Sequence, residues 1–228
     1  MNTIPQFSHE VEARHERLDA SDYGDIYVVG DVHGSRSALE TLLATLDLSD
    51  DDLVVFVGDL VRKGPDSPGV VDIVRDDPRL VSVRGNNEQK IVRGDKDPDW
   101  LREGDRAYFE SLPVAISFDD ALVVHGGVDP ERSLESHTVD ELLTMRAPRG
   151  DGYDGPFWYD DYDGPHRVFF GHTVHDTPVE GEHAVGLDTG CVYGGTLTAY
   201  DYRSDEFLAT DPTTTHQERA DSKIVDPV

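Results

Sequence analysis

The sequence predicts an α/β domain built on mixed β-sheets, and three observations carry that expectation. The chain has 228 residues, the span of one compact domain or two small ones. In its first half, short apolar runs alternate with amphipathic helical stretches. In its second half, apolar runs come as adjacent pairs, as antiparallel strands do. Hydrophobic residues at 37% supply a core, and charged residues at 29% imply a heavily charged surface.

Residues 1–24 are polar and lack strand patterning, so a polar N-terminal arm is expected there, as a short helix or a loose segment. Order is expected from Asp25. Ile26-Tyr27-Val28-Val29 is an apolar run closing on Gly-Asp, which suits a buried strand that stops at a loop. Arg36–Leu46 sets Leu39, Leu42, Leu43 and Leu46 at i, i+3, i+4 and i+7, an amphipathic helix. Leu53–Val57 is a second β-rich run, again closing on Gly-Asp, and Pro68–Arg75 reads as a helix with Val70, Val71 and Val74 on one face. Leu80–Val83 is a third strand, ending at Arg84-Gly85-Asn86-Asn87-Glu88. Val114–Phe118 and Ala121–Val124, joined by Asp119-Asp120, form a hairpin.

Gly150–Pro165 is too irregular for a strand pair and reads as a long loop. Its Phe157, Trp158, Tyr159 and Tyr162 either pin that loop by aromatic packing or stack on a nucleobase. Val168–Phe170 is a short strand ending in Gly171-His172, and Thr196–Tyr202 with Glu206–Thr210 form a closing hairpin. The division expected is therefore an arm over 1–24, a domain over 25–210 and an acidic mobile tail over 211–228.

Asp and Glu number 47 against 20 Lys and Arg, a formal charge of −27. Such a chain is no nonspecific nucleic-acid binder, because that affinity comes from basic residues that release counterions at phosphates. Docking on anionic lipid is disfavoured for the same reason. Of the acids 33 are Asp, and only 4 of the bases are Lys. Self-repulsion at this charge is relieved by molar salt, so a halophile-like source is expected. The single cysteine, Cys191, excludes an intramolecular disulfide and a cysteine-rich zinc site, and is expected to be buried and inert. The N-terminus has no apolar signal region and no run approaches 18 apolar residues, so a cytoplasmic protein is expected, with no membrane partner.

One feature recurs. A strand stops at or beside Gly, next to a side chain able to hold a metal, at Gly30-Asp31-Val32-His33, Gly58-Asp59, Gly85-Asn86, His125-Gly126 and Gly171-His172. In open α/β sheets, loops at the carboxyl ends of strands gather ligands from distant parts of the chain. Carboxylate, amide oxygen and imidazole are the donors expected for Mn, Fe or Zn, and glycine lets the backbone turn close to the ions.

The motifs GDVHG (30–34), GDLVRKGPDS (58–67), RGNNE (84–88), VHGG (124–127) and GHT (171–173) together resemble those of the calcineurin-like metallophosphoesterases. Within them the chain is similar to the phosphoprotein-phosphatase branch and the symmetrical diadenosine tetraphosphate hydrolases. GLDTGCVYGGTLTAY (186–200) resembles that branch's closing segment, so the resemblance runs from about Asp25 to Tyr202. It implies a four-layer α/β/β/α sandwich of two mixed β-sheets. It also implies two divalent metal ions, manganese first, with Fe, Zn, Co or Ni as alternatives. Asp31 and His33 would hold one ion, Asp59 would bridge, and Asn86, His125 and His172 would complete the second. The implied reaction is phosphate-ester hydrolysis by attack of a metal-bridging hydroxide.

Three positions depart from the family pattern. Lys63 stands where a phosphate-binding Arg is usual, and keeps the charge without the bidentate fork. Asn87 stands for the general-acid His, and Arg62 for the Asp that orients it. An amide delivers no proton near neutral pH, so help worth about 10²–10⁴-fold is missing or comes from elsewhere. His175, or a water at the metals, is one rescue. A substrate with a good leaving group is the other. A hydrogen bond from Asn87 to a phosphate oxygen is a further expectation for that position.

Lys63, Arg84, Arg146 and Asn86 are the candidates for binding substrate phosphate, with Arg62, Lys63, Asn87 and Arg146 around the reacting group, while Arg149 suits either the phosphate or a surface ion pair. Asp188 is either an orienting partner for a ligand His or a plain turn residue. His9, His15, His137, His166 and His183 are expected at the surface. The expected activity is a phosphomonoesterase of the Ser/Thr phosphatase type, acting on a phosphorylated protein or a small phosphate ester. Hydrolysis of diadenosine tetraphosphate or other nucleotide anhydrides is the alternative, and a non-catalytic phosphate-binding relic the rival from another class.

Overall fold

The computed structural model describes residues 4–227. A one-turn helix α1 (His9–Glu12) leads into β1 (His15–Arg17) and β2 (Ile26–Val29), then α2 (Arg36–Leu46), β3 (Leu53–Phe56), α3 (Ser67–Asp76) and β4 (Leu80–Ser82). Helices α4 (Asn86–Val92) and α5 (Asp105–Ser111) precede the hairpin of β5 (Ala115–Phe118) and β6 (Ala121–Val124). There follow α6 (Val139–Thr144), β7 (Arg167–Phe170), β8 (Val179–Glu180), β9 (Ala184–Gly186), β10 (Thr198–Asp201) and β11 (Glu206–Ala209).

The strands form two mixed sheets, one ordered β11-β10-β2-β3-β4 and the other β1-β5-β6-β7-β9-β8. In the first, β2, β3 and β4 run parallel, with Val28 opposite Val55 and Val55 opposite Val81, while β10 joins antiparallel with Ala199 opposite Val29. Parallel strands covered on both faces must be apolar on both faces, and β2 and β3 are buried throughout. Val28 and Val55 point into the layer between the sheets, where they meet Ile116, Val123 and Phe169 of the other sheet. Val29, Val54 and Phe56 point outward onto Leu39 and Leu42 of α2 and Val70 and Val74 of α3. The outer face of the second sheet carries Leu122, Val124 and Phe170, covered by α1, α6 and Trp158. The result is the expected four-layer α/β/β/α sandwich.

Local chemistry sets the helix ends. The Asp66 carboxylate accepts the Gly69 N–H at 2.8 Å and Pro68 sits in the first turn of α3, both favourable at a helix start. Thr138 and Glu141 close a reciprocal capping box on α6. Among the described residues, no helix is long and apolar enough to cross a membrane.

The structure corrects the sequence reading at both ends. The arm is laid into the fold, because Phe7 and Val11 are buried and β1 pairs in parallel with β5. Its polar appearance is that of an edge strand, half-wetted along its length. The tail expected to be mobile is docked: the Val225 N–H donates to Val174 O at 2.9 Å, and the Thr213 N–H to Gly195 O at 2.8 Å. His137 and His166 are buried rather than at the surface, and so is the ring of His15. The His137 ring accepts the Asp129 N–H at 2.8 Å, and His15 Nε2 lies 2.9 Å from Ser117 Oγ, so each serves as an internal bond partner.

Candidate metal centre

Because β2, β3 and β4 run parallel, their carboxyl ends meet at one edge, where the chain delivers Asp31, Asp59 and Asn86. The parallel pair β6 and β7 of the facing sheet ends at His125 and His172. The two glycines nearest the carboxylates leave no room for a side chain. A Cβ on Gly171 would lie 2.0 Å from Asp31 Oδ1, and one on Gly85 would lie 2.2 Å from Asp59 Oδ1. His33, Asp59 and His172 have φ of +50°, +51° and +65°, a left-handed backbone that costs a non-glycine residue free energy and tends to persist where function holds it.

Two overlapping groups emerge. Ligand atoms of Asp31, Asp59 and His125 lie within 4.8 Å of one another, as do those of Asp31, His33 and Asp188, with Asp31 common to both. His33 Nε2 is 3.6 Å from Asp31 Oδ2 and 3.7 Å from Asp59 Oδ2. His172 closes the cluster: its N–H donates to Asp31 Oδ1 at 3.3 Å, and its Nδ1 is 2.9 Å from Asn86 Nδ2.

The donors fit divalent ions. His125 Nδ1 donates to Val57 O at 2.8 Å and His33 Nδ1 to Val61 O at 3.3 Å, which turns both Nε2 lone pairs toward the carboxylates. His125 Nε2 is buried without a hydrogen-bond partner, 3.5 Å from Asp59 Oδ1. A metal ion between that ring nitrogen and the carboxylate would satisfy both. Two protein cations stand nearby: Lys63 Nζ donates to His33 Nε2 at 2.6 Å, and Arg146 Nη2 to His172 Nε2 at 2.9 Å. Mixed carboxylate, imidazole and amide donors suit Mn, Fe or Zn.

Charge is concentrated here. Burial, then the charges of Asp188 and Asp59, push the Asp31 carboxyl well above the usual range. Burial alone would also raise Asp59, yet His125, His33 and Lys63 outweigh it and hold Asp59 well below. Burial, followed by Lys63, pushes the His33 imidazole down to about 3. His172 is likewise lowered by burial, then by His125 and Arg146. Behind Asp59 lies Glu88, whose carboxylate accepts the N–H groups of Asp59 (3.0 Å), Val61 (3.1 Å) and Gly85 (2.8 Å). Burial, then the Asp59 charge, raises Glu88 to about 7. It clasps the β3 and β4 loops together.

The structure thus brings Asp31, His33, Asp59, Asn86, His125 and His172 into one cluster and adds Asp188 to it. Asn87 lies against the same carboxylate, its backbone N–H donating to Asp59 Oδ1 at 2.8 Å and its side-chain amide to Asp59 Oδ2, while Arg62 donates to the Asn87 carbonyl. Arg146 also donates to Thr173 Oγ1 at 3.2 Å, and its guanidinium lies 4.2 Å from the centre of the Tyr153 ring.

Arg84 is a correction. Its guanidinium turns away from the cluster and donates to Gln89 Oε1 at 2.9 Å, Leu112 O at 3.0 Å and Glu110 O, so it braces the end of α5 and binds no phosphate. His175 is another. Burial pushes it down to about 3 and its Nε2 faces the Tyr159 hydroxyl at 2.8 Å, so it is neutral at pH 7 and committed to Tyr159 instead of acting as an acid. Arg149 pairs on the surface with Glu131 and Asp161. Burial raises the Cys191 thiol to about 11. In the 150–165 loop packing prevails, with Trp158 buried and donating to Gly126 O at 3.0 Å, and Tyr159 stacked on Phe170. The sequence reading missed Glu88, Tyr153, Tyr193 and Arg219. Tyr193 lay inside the 186–200 motif, whereas Arg219 had no signal beyond being a base in an acidic tail.

Comparison with known proteins agrees with this geometry. Residues 24–189 match the model of the calcineurin-like phosphoesterase family. The chain is 27% identical to an asymmetrical bis(5'-nucleosyl)-tetraphosphatase of Oceanobacillus iheyensis, over 81% of this chain and 91% of that one. It is also 27% identical to serine/threonine-protein phosphatase 1 of Salmonella typhimurium, over 82% and 96% respectively. A crystal structure of a candidate diadenosine tetraphosphatase superposes with a TM-score of 0.80 at 31% identity, covering 88% of this chain and 98% of that one. The chain belongs to the calcineurin-like phosphoesterases.

Proposed function

We propose that this protein hydrolyses phosphoanhydrides of the dinucleoside polyphosphate class with two divalent ions, manganese first, in a cytoplasmic setting. The six residues Asp31, His33, Asp59, Asn86, His125 and His172 would hold the ions, with Asp188 beside them. Ions held there polarise phosphoryl oxygens and lower the pKa of a water.

This chain's own cations do the rest. Lys63 and Arg146, already against the imidazoles, hold phosphoryl oxygens and balance the charge of the reacting group. Asn87 donates its backbone N–H and its side-chain amide to the two Asp59 oxygens and fixes that carboxylate.

The observation that carries the choice of substrate is that no histidine stands poised as a general acid beside the cluster. Asn87 is an amide bound to a guanidinium, and His175 is neutral and committed to Tyr159. An alkoxide leaving from a Ser or Thr phosphate needs a proton, and lacks help worth about 10²–10⁴-fold. A phosphate leaving from an anhydride, with a pKa of about 6, departs unaided. An anhydride substrate therefore ranks ahead of a phosphomonoester. The Ser/Thr phosphatase reading stays second, favoured by the Salmonella relative. A phosphate-binding relic is disfavoured by three buried carboxylates, Asp31, Asp59 and Asp188, gathered with histidines in the donor set of a metal site, which a pure phosphate binder does not need.

The test is kcat/KM of the manganese-loaded protein on diadenosine tetraphosphate and on a phosphothreonine peptide. The dinucleotide should win by at least about 100-fold. Preference for the peptide would support the second reading, and metal-independent inertness on both would support the relic.

A further inference from the structure

The C-terminal segment crosses the mouth of the site. It leaves the loop that follows Asp188, with the Thr213 N–H bonded to Gly195 O at 2.8 Å and the His216 N–H to Val192 O at 3.0 Å. It reattaches to the loop that follows His172, with the Val225 N–H bonded to Val174 O at 2.9 Å and the Asp176 N–H to Val225 O at 3.1 Å. Between these anchors lies Arg219. It donates to the Tyr153 hydroxyl at 3.0 Å, the Tyr193 hydroxyl at 3.2 Å and Lys223 O at 2.9 Å. A guanidinium has five N–H donors, so two remain open.

Each tyrosine is also shared with a cation of the site. Tyr153 lies 4.2 Å from the Arg146 guanidinium and 5.4 Å from that of Arg219. Tyr193 lies 5.3 Å from Lys63 Nζ and 4.9 Å from the Arg219 guanidinium. The scarcity of free bases sharpens the point. Among the described residues, 11 of the 16 arginines sit in ion pairs with carboxylates. Of the other five, Arg14 and Arg84 donate to backbone carbonyls away from the site. Arg62, Arg146 and Arg219 surround it.

We propose that Arg219 is a specificity residue that binds a second phosphate group of the substrate, beside the one held by Lys63 and Arg146. This rests on the polyphosphate reading above. The cradle of Tyr153, Tyr193 and Arg219 then selects a compact, multiply anionic substrate over a lone phosphate on a protein.

Two readouts on the full chain test it, with Arg219→Ala and the charge-preserving Arg219→Lys. The first is the ratio of kcat/KM for diadenosine tetraphosphate over p-nitrophenyl phosphate in manganese-loaded protein. The second, independent of turnover, is the preference for methylenediphosphonate over orthophosphate by calorimetric titration. Arg219→Ala should lower both ratios about tenfold, and Arg219→Lys should recover part of each. Ratios within twofold of the parent in Arg219→Ala would overturn the proposal. A parent that turns over the aryl ester but not the dinucleotide sinks the polyphosphate reading instead. The titration then decides Arg219 alone, a retained preference in Arg219→Ala counting against it.

Discussion

At the scale of single residues, Asn87 and its neighbour Arg62 decide which leaving groups the site can serve. The guanidinium of Arg62 donates to the Asn87 carbonyl, so the position that would orient an acidic imidazole is occupied by a positive charge. Restoring His at 87 alone would place the imidazole beside that guanidinium and depress its proton affinity. Arg62→Asp with Asn87→His should therefore raise kcat/KM on poor leaving groups by about 10²-fold, and Asn87→His alone by much less, as steady-state assays on alkyl phosphates would register. Asp59→Asn should lower activity and metal content together by at least about 100-fold, since losing even an outer partner of a ligand costs 10–100-fold. The ligands were legible because each is tied to a glycine that a strand runs into, a signal local in sequence. Glu88 and Tyr193 lie inside quoted motifs, but their roles depend on partners brought close only by the fold, and Arg219 stands in no motif at all.

Among elements, the strands that converge on the site were read nearly to their ends because they are buried on both faces and hence continuously apolar. The short helices were not. Helix α4 buries a single aliphatic side chain, Ile91, beside the polar Asn87 and Glu88, which leaves no 3.6-residue pattern to find. The approach of β7 to β2 is set by Gly171, and Gly171→Ala should drive Asp31 out of place, with loss of metal binding by calorimetry at least as large as the loss of thermal stability. Helix α6 offers a pH test. Hydrogen bonds from Arg132, then from the Thr138 backbone, hold the Glu141 carboxyl down at about 2. Its contribution is present above the ordinary value of 4.5 and is lost as pH falls through about 2. Glu141→Gln should cost about 0.5–1 kcal/mol at pH 7 by denaturant unfolding, with the difference from the parent fading below pH 4.

For the whole molecule, the charge of −27 is the dominant fact. Raising salt from 0.1 M to 1 M shortens the Debye length from about 10 Å to about 3 Å, so the melting temperature should climb over that interval. A flat response would mean that self-repulsion is already neutralised by the surface ion pairs. Acid acts in the opposite direction. Burial holds His15 at about 4 and His175 at about 3, so both are folded neutral, and stability is lost as pH drops from 6.5 toward those values. Composition revealed the charge but not how the chain's ends are used. A polar edge strand and a docked acidic segment look the same in sequence as loose termini, because their pairing is through backbone groups.

The central claim is that phosphate bonds are cleaved here without a proton donor. The dependence of kcat/KM on leaving-group pKa, measured across a series of aryl phosphates with manganese-loaded protein, tests it most directly. A steep decline as the phenol becomes more basic is the predicted result. A flat profile would mean that an acid assists departure, and would contradict the account.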